Sequence, residues 1–273
     1  MPHHKTAPPR GVLKTAAAHG QRFEHARYHP SPDLEQYVEH FWAVQWDLCG
    51  SPPHRVETLP HPSVHLVFER GVGGRIVGVA RGKFSTLLKG NGGVFATKFR
   101  PGGFYPFART PIVTFTDSTV TLGGVWGPAG DRLERTVLAL NDDDARMEVV
   151  EDFLRERRPR QDENATLVTT IVDAIAADLG ILTVDDVARR FGLNPRKLQR
   201  LFAQYVGVNP KWVIQRYRLH EAAEQLARGP ANQAALALEL GYADQAHFVK
   251  DFKATVGTSP AAYARRVREY PRA

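Results

Sequence analysis

The chain has 273 residues with 36 Lys and Arg against 29 Asp and Glu, long enough for two domains and ordinary in composition for a soluble globular protein. No apolar run approaches the roughly 20 residues that span a bilayer, and the N-terminus lacks a secretory apolar core, so a cytoplasmic protein is expected. The one cysteine, Cys49, excludes an intramolecular disulfide and a multi-cysteine zinc site.

Residues 1–27 carry no apolar periodicity through 1–26 and are expected to form a disordered tail. From Tyr28 to Phe115 the pattern is β. In LEQYVEHFWAVQWDL, Trp42, Val44 and Trp46 share one face of an expected strand. HRVETL, SVHLVFE, RIVGVA and GVFATKF are short β-branched or aromatic runs parted by Pro and Gly. So many short strands suggest a small barrel or sandwich. The glycines of GVGGR and GNGG read as hairpin turns and match no phosphate-cradling loop.

After Trp126 the period changes. DRLERTVLAL and ARMEVVEDFLRERR space their apolar residues as amphipathic helices do. The acids from Asn141 to Asp144 suit a loop or a helix N-terminus. RERRPRQDEN reads as a charged linker broken at Pro159, its RERR run a solvated helix end. ATLVTTIVDAIAADL then forms a helix ending by Gly180. The fold class expected is an α+β N-terminal domain over 28–160, a small barrel or sandwich followed by helices. An all-α C-terminal domain over 164–268 follows it.

The C-terminal third repeats itself. LFAQYVGVNP ends at Pro210 and DFKATVGTSP at Pro260, with Phe202, Val206, Gly207 and Pro210 matched by Phe252, Val256, Gly257 and Pro260. Each copy reads as a helix-turn-helix. In the first, Thr183 is an N-cap, Asp185 and Asp186 suit a helix start, and Gly192 ends the first helix by taking positive φ. Asn194 and Pro195 open the second helix. There Leu198, Leu201, Phe202 and Tyr205 face inward, leaving Arg196, Lys197, Gln199, Arg200 and Gln204 outward. In the second copy Asp244 caps a helix with Phe248 and Phe252 inward and Gln245, His247 and Lys250 outward. A long helix, KWVIQRYRLHEAAEQLA, joins the copies.

The charge is distributed to match. Residues 181–273 hold 15 Lys and Arg against 8 Asp and Glu, whereas 1–180 hold 21 of each. A basic, helical, repeated segment implies a polyanionic partner, nucleic acid first. Arg can chelate guanine, Gln can pair with adenine, and Lys can neutralise phosphate. Two such helices roughly 34 Å apart would enter successive major grooves of double-stranded DNA.

The motifs LTVDDVARRFGLNPRKLQRLFAQYVGVNP and ALELGYADQAHFVKDFKATVGTSPAAY resemble the signature of AraC/XylS-type transcriptional regulators, over Asp178 to about Arg266. The resemblance implies a bipartite domain of two helix-turn-helix units joined by a long helix. It implies contacts to promoter DNA from Arg196, Gln199 and Arg200 in the first unit, with Lys197 adjacent, and from Gln245, Ala246, His247 and Lys250 in the second. Gln204, on the same outward face, is expected to join the DNA-binding set. Ala246 and Val249 are apolar where many members are polar, so the second helix is expected to bind with less sequence specificity. PDLEQYVEHFWAVQW, LPHPSVHLVFE and KFRPGGFYPF are similar to the N-terminal sensory domain of a subgroup with no established common ligand. That similarity implies a small-molecule effector, a homodimer, or both, with RNA polymerase as a further partner of an activator.

Enzymatic chemistry has little footing. His61, His65 and Glu69, with His54 near, invite a metal reading. On a strand, however, residues four apart lie about 13 Å apart, too far to share an ion. Arg100, at a tight turn in KFRPGG, is the candidate for an anionic effector, with a structural salt bridge as the alternative. No nucleophile elbow, H-E-x-x-H pair or activated Cys–His pattern occurs, so no catalytic residue, metal or cofactor is expected. The competing reading is a metal- or ligand-dependent enzyme domain fused to a DNA anchor.

Overall fold

The computed structural model describes residues 12–13, 22–157, 162–229 and 232–269. Two antiparallel sheets build the first half. The larger orders its strands β2 (Arg22–Tyr28), β3 (Val38–Leu48), β8 (Gly90–Phe99), β5 (His65–Glu69), β6 (Gly73–Val77) and β9 (Thr119–Thr121). The smaller orders β1 (Val12–Leu13), β4 (His54–Thr58) and β7 (Phe84–Leu88).

Strand β3 buries side chains on both faces. Ala43 pairs with Phe95 of β8, and with Phe41, Phe68 and Phe99 they join the main apolar core. On the other face Trp46 and Leu48 meet Leu88 of β7, backed by Val44, Val56 and Val94. The smaller sheet thus covers part of the larger one, and the sandwich form of the expected fold is the one adopted.

Two expectations need correction, and one strand, β7, has no counterpart among the expected runs. The tail was expected to reach residue 27, but Arg22–Tyr28 is a strand paired along β3, and Val12–Leu13 pairs with β4. Backbone donors and acceptors are satisfied by whatever strand edge lies alongside, and RFEHARY needs no alternation of its own to be held there. Residues 1–11 and 14–21 lie outside the described set. GNGG is no simple turn: only Gly90 takes a positive φ, of 55°, and the run continues as β8. Gly92 is required there because a Cβ would fall 2.3 Å from the Trp46 ring. FSTLL, which alternates weakly, forms β7 as the partner of β4.

Helices cover the first face of the large sheet. They are α1 (Tyr105–Ala108), a 3-10 turn (Ile112–Phe115), α2 (Leu122–Trp126), α3 (Pro128–Ala139) and α4 (Asp143–Glu156). Leu133, Val137, Met147, Val150 and Leu154 pack into the sheet's core. Asp142 opens α4 by accepting from the Ala145 N–H, so the acidic run does cap a helix. The expected linker break at Pro159 falls in 158–161, outside the described residues. Before it, Arg155 pairs with Asp33, Glu151 and Asp152, and Arg157 lies 3.6 Å over the Phe153 ring.

The C-terminal helices are α5 (Glu163–Ala177), α6 (Val184–Arg190), α7 (Pro195–Tyr205), α8 (Pro210–Arg228), α9 (Gln233–Glu239), α10 (Gln245–Val256) and α11 (Pro260–Glu269). The main core runs from Leu34 through α5, α6 and α7 to Ile214 of α8. A second core joins α8 to α11, and Leu59 from the β-rich half is buried within it. The connecting helix α8 is therefore no solvated rod. Its Arg216 is 2% exposed, donates to Arg81 O at 2.5 Å and lies 4.4 Å over the Trp212 ring.

Candidate nucleic-acid interface

Local chemistry builds each helix pair. Thr183 and Asp186 cap α6 reciprocally, each side chain accepting from the other's backbone N–H. Gly192 turns the chain at φ 62°, and Asn194 opens α7 by accepting from the Lys197 N–H at 2.8 Å. In the second unit Gly241 turns at φ 74° and Asp244 accepts from the His247 N–H at 2.8 Å.

Each outer helix divides cleanly into faces. In α7, Leu198, Leu201, Phe202 and Tyr205 are buried, while Arg196, Lys197, Gln199 and Arg200 are exposed. In α10, Phe248, Phe252 and Val256 are buried, while Gln245, Ala246, His247 and Lys250 are exposed. Among the described residues no ion pair engages Arg196, Lys197, Arg200 or Lys250. The neighbouring cations of α6 differ: Arg189 pairs with Asp186 at 3.4 Å and Arg190 with Asp178 at 2.5 Å. Positive charge on α7 is thus without an ion-pair partner among the described residues, whereas on α6 it is answered locally.

Other singled-out residues have partners within the fold. Gln204 is half-buried, its Nε2 donating to Tyr105 OH at 2.6 Å, so the end of α7 rests on the β-rich half. The expectation that Gln204 faces DNA is therefore corrected: its outward helical position is covered by a second body of the chain. His247 lies 3.9 Å from Asp251 and packs edge-on against Tyr242. Lys253 was not anticipated, yet it lines one shallow depression with Gln245, Ala246, Val249 and Lys250. Its spacing of four from Val249 and three from Lys250 is the signal that could have identified it.

Arg100 donates to Glu35 O at 2.8 Å and to Asp173 of α5 at 3.3 Å, spanning sheet and helix. The residues considered for a metal go separate ways. His61 stacks on His220 of α8, His65 Nδ1 accepts from Trp42 Nε1 at 3.4 Å, Glu69 pairs with Arg75, and His54 packs against Phe23. Among the described residues no group of three His, Cys, Asp or Glu side chains converges as metal ligands would. Burial holds the His61 imidazole well below its ordinary pKa and lowers His65 to about 3, with the nearby Lys98 charge adding to both. No helix among the described residues is long and apolar enough to cross a membrane.

Comparison with known proteins finds a family match in each half. Residues 187–266 match a helix-turn-helix domain family, and residues 26–121 match a domain of unknown function (DUF6597). The HTH-type transcriptional activator AarP of Providencia stuartii is 37% identical over 82 residues, covering 30% of this chain and 61% of that protein. The probable transcription factor PqrA of Proteus vulgaris is 30% identical over 82 residues, covering 30% of this chain and 67% of that protein. A crystal structure of an AraC-type DNA-binding domain-containing regulator from Chromobacterium violaceum is 25% identical, covering 38% of this chain and 93% of that one, with a TM-score of 0.35. The chain spans 28%, 61% and 11% of the lengths of relatives from Haemophilus influenzae, Providencia stuartii and Bacillus subtilis. With two capped helix pairs in the order that its sequence signature requires, the chain belongs to the AraC-type helix-turn-helix transcriptional regulators.

Proposed function

We propose that this chain is a sequence-specific regulator of transcription that inserts α7 and α10 into successive major grooves of promoter DNA. Residues 164–268 form the DNA-binding unit, and 28–160 form a sensory or dimerising unit that answers to a small-molecule effector, a second copy, or both. The protein acts in the cytoplasm, at the nucleoid. The observation that carries this reading is the outer face of α7. Arg196, Lys197, Gln199 and Arg200 are exposed there over a fully packed inner face, and none of the three cations has an ion-pair partner among the described residues.

Arg196 and Arg200 stand four apart, one helical turn, and so address neighbouring base pairs. On α10, Gln245 is the group able to read a base edge, Lys250 and Lys253 suit phosphates, and Ala246 suits a thymine methyl. Selection of duplexes from a random pool tests the reading. The expected result is a bipartite site, with the half read by α7 the more informative. Failure to enrich any sequence over the starting pool would overturn it.

A further inference from the structure

The repeat closes each copy with a glycine, Gly207 after α7 and Gly257 after α10. Both take left-handed φ, 91° and 86°, as tight helix ends require. Both are also seats for the β-rich half. The Gly207 carbonyl accepts from Thr116 Oγ1 at 2.7 Å. A side chain at Gly207 would begin 2.8 Å from that hydroxyl and 3.0 Å from Ile112. At Gly257 the Lys83 ammonium lies 2.9 Å from where a Cβ would stand, and it also pairs with Glu57 at 2.7 Å.

The chemistry suits each position. The last carbonyls of a helix have no partner inside it, and Thr116 supplies a donor to that end of the chain after α7. The C-terminus of α10 carries partial negative charge, and Lys83 supplies a cation. Thr116 and Lys83 belong to one packed body. The Asp117 N–H donates to Val79 O at 3.0 Å, and Arg81 pairs with Asp117 at 2.5 Å, tying their two segments together. That body also grips α8 through Arg81 O and enters the second core through Leu59.

We propose that Thr116 and Lys83 are positioning residues which set the separation and angle of α7 and α10, so that the β-rich half decides which half-site spacing the chain accepts. The inference rests on the reading of α7 and α10 as the DNA-reading helices. Two small helical units joined only by α8 would each be free to pivot about its ends. Contacts from a third rigid body at the far end of both outer helices remove that freedom. A duplex with displaced half-sites must then break these contacts or distort itself.

The test uses the full chain and its selected duplex, with copies of that duplex whose half-sites are moved closer or further apart by one and two base pairs. Wild type should prefer one spacing sharply. In the Thr116→Val, Lys83→Gln double variant the loss on changing spacing should shrink about fivefold or more, the scale of a hydrogen bond. Thr116→Ser and Lys83→Arg should restore the wild-type profile. Circular dichroism and thermal melting check that each variant folds, and the two single variants give the same readout if the double one does not. An unchanged spacing profile in a folded variant overturns the proposal. So does a wild type that selects sequence but ignores spacing, which leaves the DNA-reading assignment standing. A wild type unable to tell selected from scrambled duplex removes that assignment and this inference with it.

Discussion

The imidazole rings of His61 and His220 stack face to face across the junction between the β-rich half and α8, their centroids 4.1 Å apart and their planes 12° from parallel. Tyr217 of α8 packs beside His61, and Lys98, Glu39 and His65 from the large sheet complete its surroundings. Two rings in such contact cannot both take up a proton cheaply.

Acid should therefore weaken the junction. Burial depresses the folded-state pKa of His61 and His65, to about 3 for His65, while the unfolded chain protonates near 6.5. The unfolded state then binds more protons across that window, so stability is full above about pH 6.5 and falls as pH drops toward the folded-state value. Between pH 7 and 5 the expected loss from His65 is about 2 kcal/mol, and His61 adds to it in the same direction. Urea denaturation at both pH values measures it. A His61→Phe variant should show a shallower dependence, and equal slopes in variant and wild type would contradict the assignment.

Arg196→Ala and Arg200→Ala should each cost about 1–3 kcal/mol of binding to the selected duplex and relax preference at the base pair concerned. Binding to scrambled DNA should change much less. Competition titrations with single-base variants of the site separate the two effects, and undiminished discrimination would take either arginine off the reading surface.

Lys250→Ala should behave differently, weakening selected and scrambled duplexes alike. The slope of log affinity against log salt should fall by about one, the signature of a single lost phosphate contact. If the loss is confined to the selected duplex, Lys250 reads a base.

The glycines of the repeat should differ in tolerance. Gly192 turns into open space, so alanine there meets only the left-handed backbone penalty of about 1–2 kcal/mol. Gly207→Ala pays the same penalty and also runs into Thr116 and Ile112. It should be the more destabilising of the two by about 1–3 kcal/mol, the cost of overpacking. Chemical denaturation of both variants checks the order.

Much of the candidate interface was legible because its determinants are local. Thr183 with Asp186, Asn194 with Lys197 and Asp244 with His247 are separated by three residues, and each bond is made within one helical turn. The buried faces of α7 and α10 follow equally from residues three and four apart. Strand β2 was missed because its pairing depends on the edge that β3 offers, not on its own pattern. Gln204 was placed outward because a helical face shows which side is polar, not what covers it.

The amino-acid order alone thus determined the doubled helix pair, its caps, its outward cations and its family signature. All of these are written within spans of a few residues, where backbone geometry dictates which atoms can meet. Only the tertiary structure decided that Leu59 enters the second core, that Tyr105 holds Gln204 and that Thr116 and Lys83 seat the two repeated glycines. Those partners are remote along the chain. Packing of whole elements brings them together, and no short-range propensity encodes it.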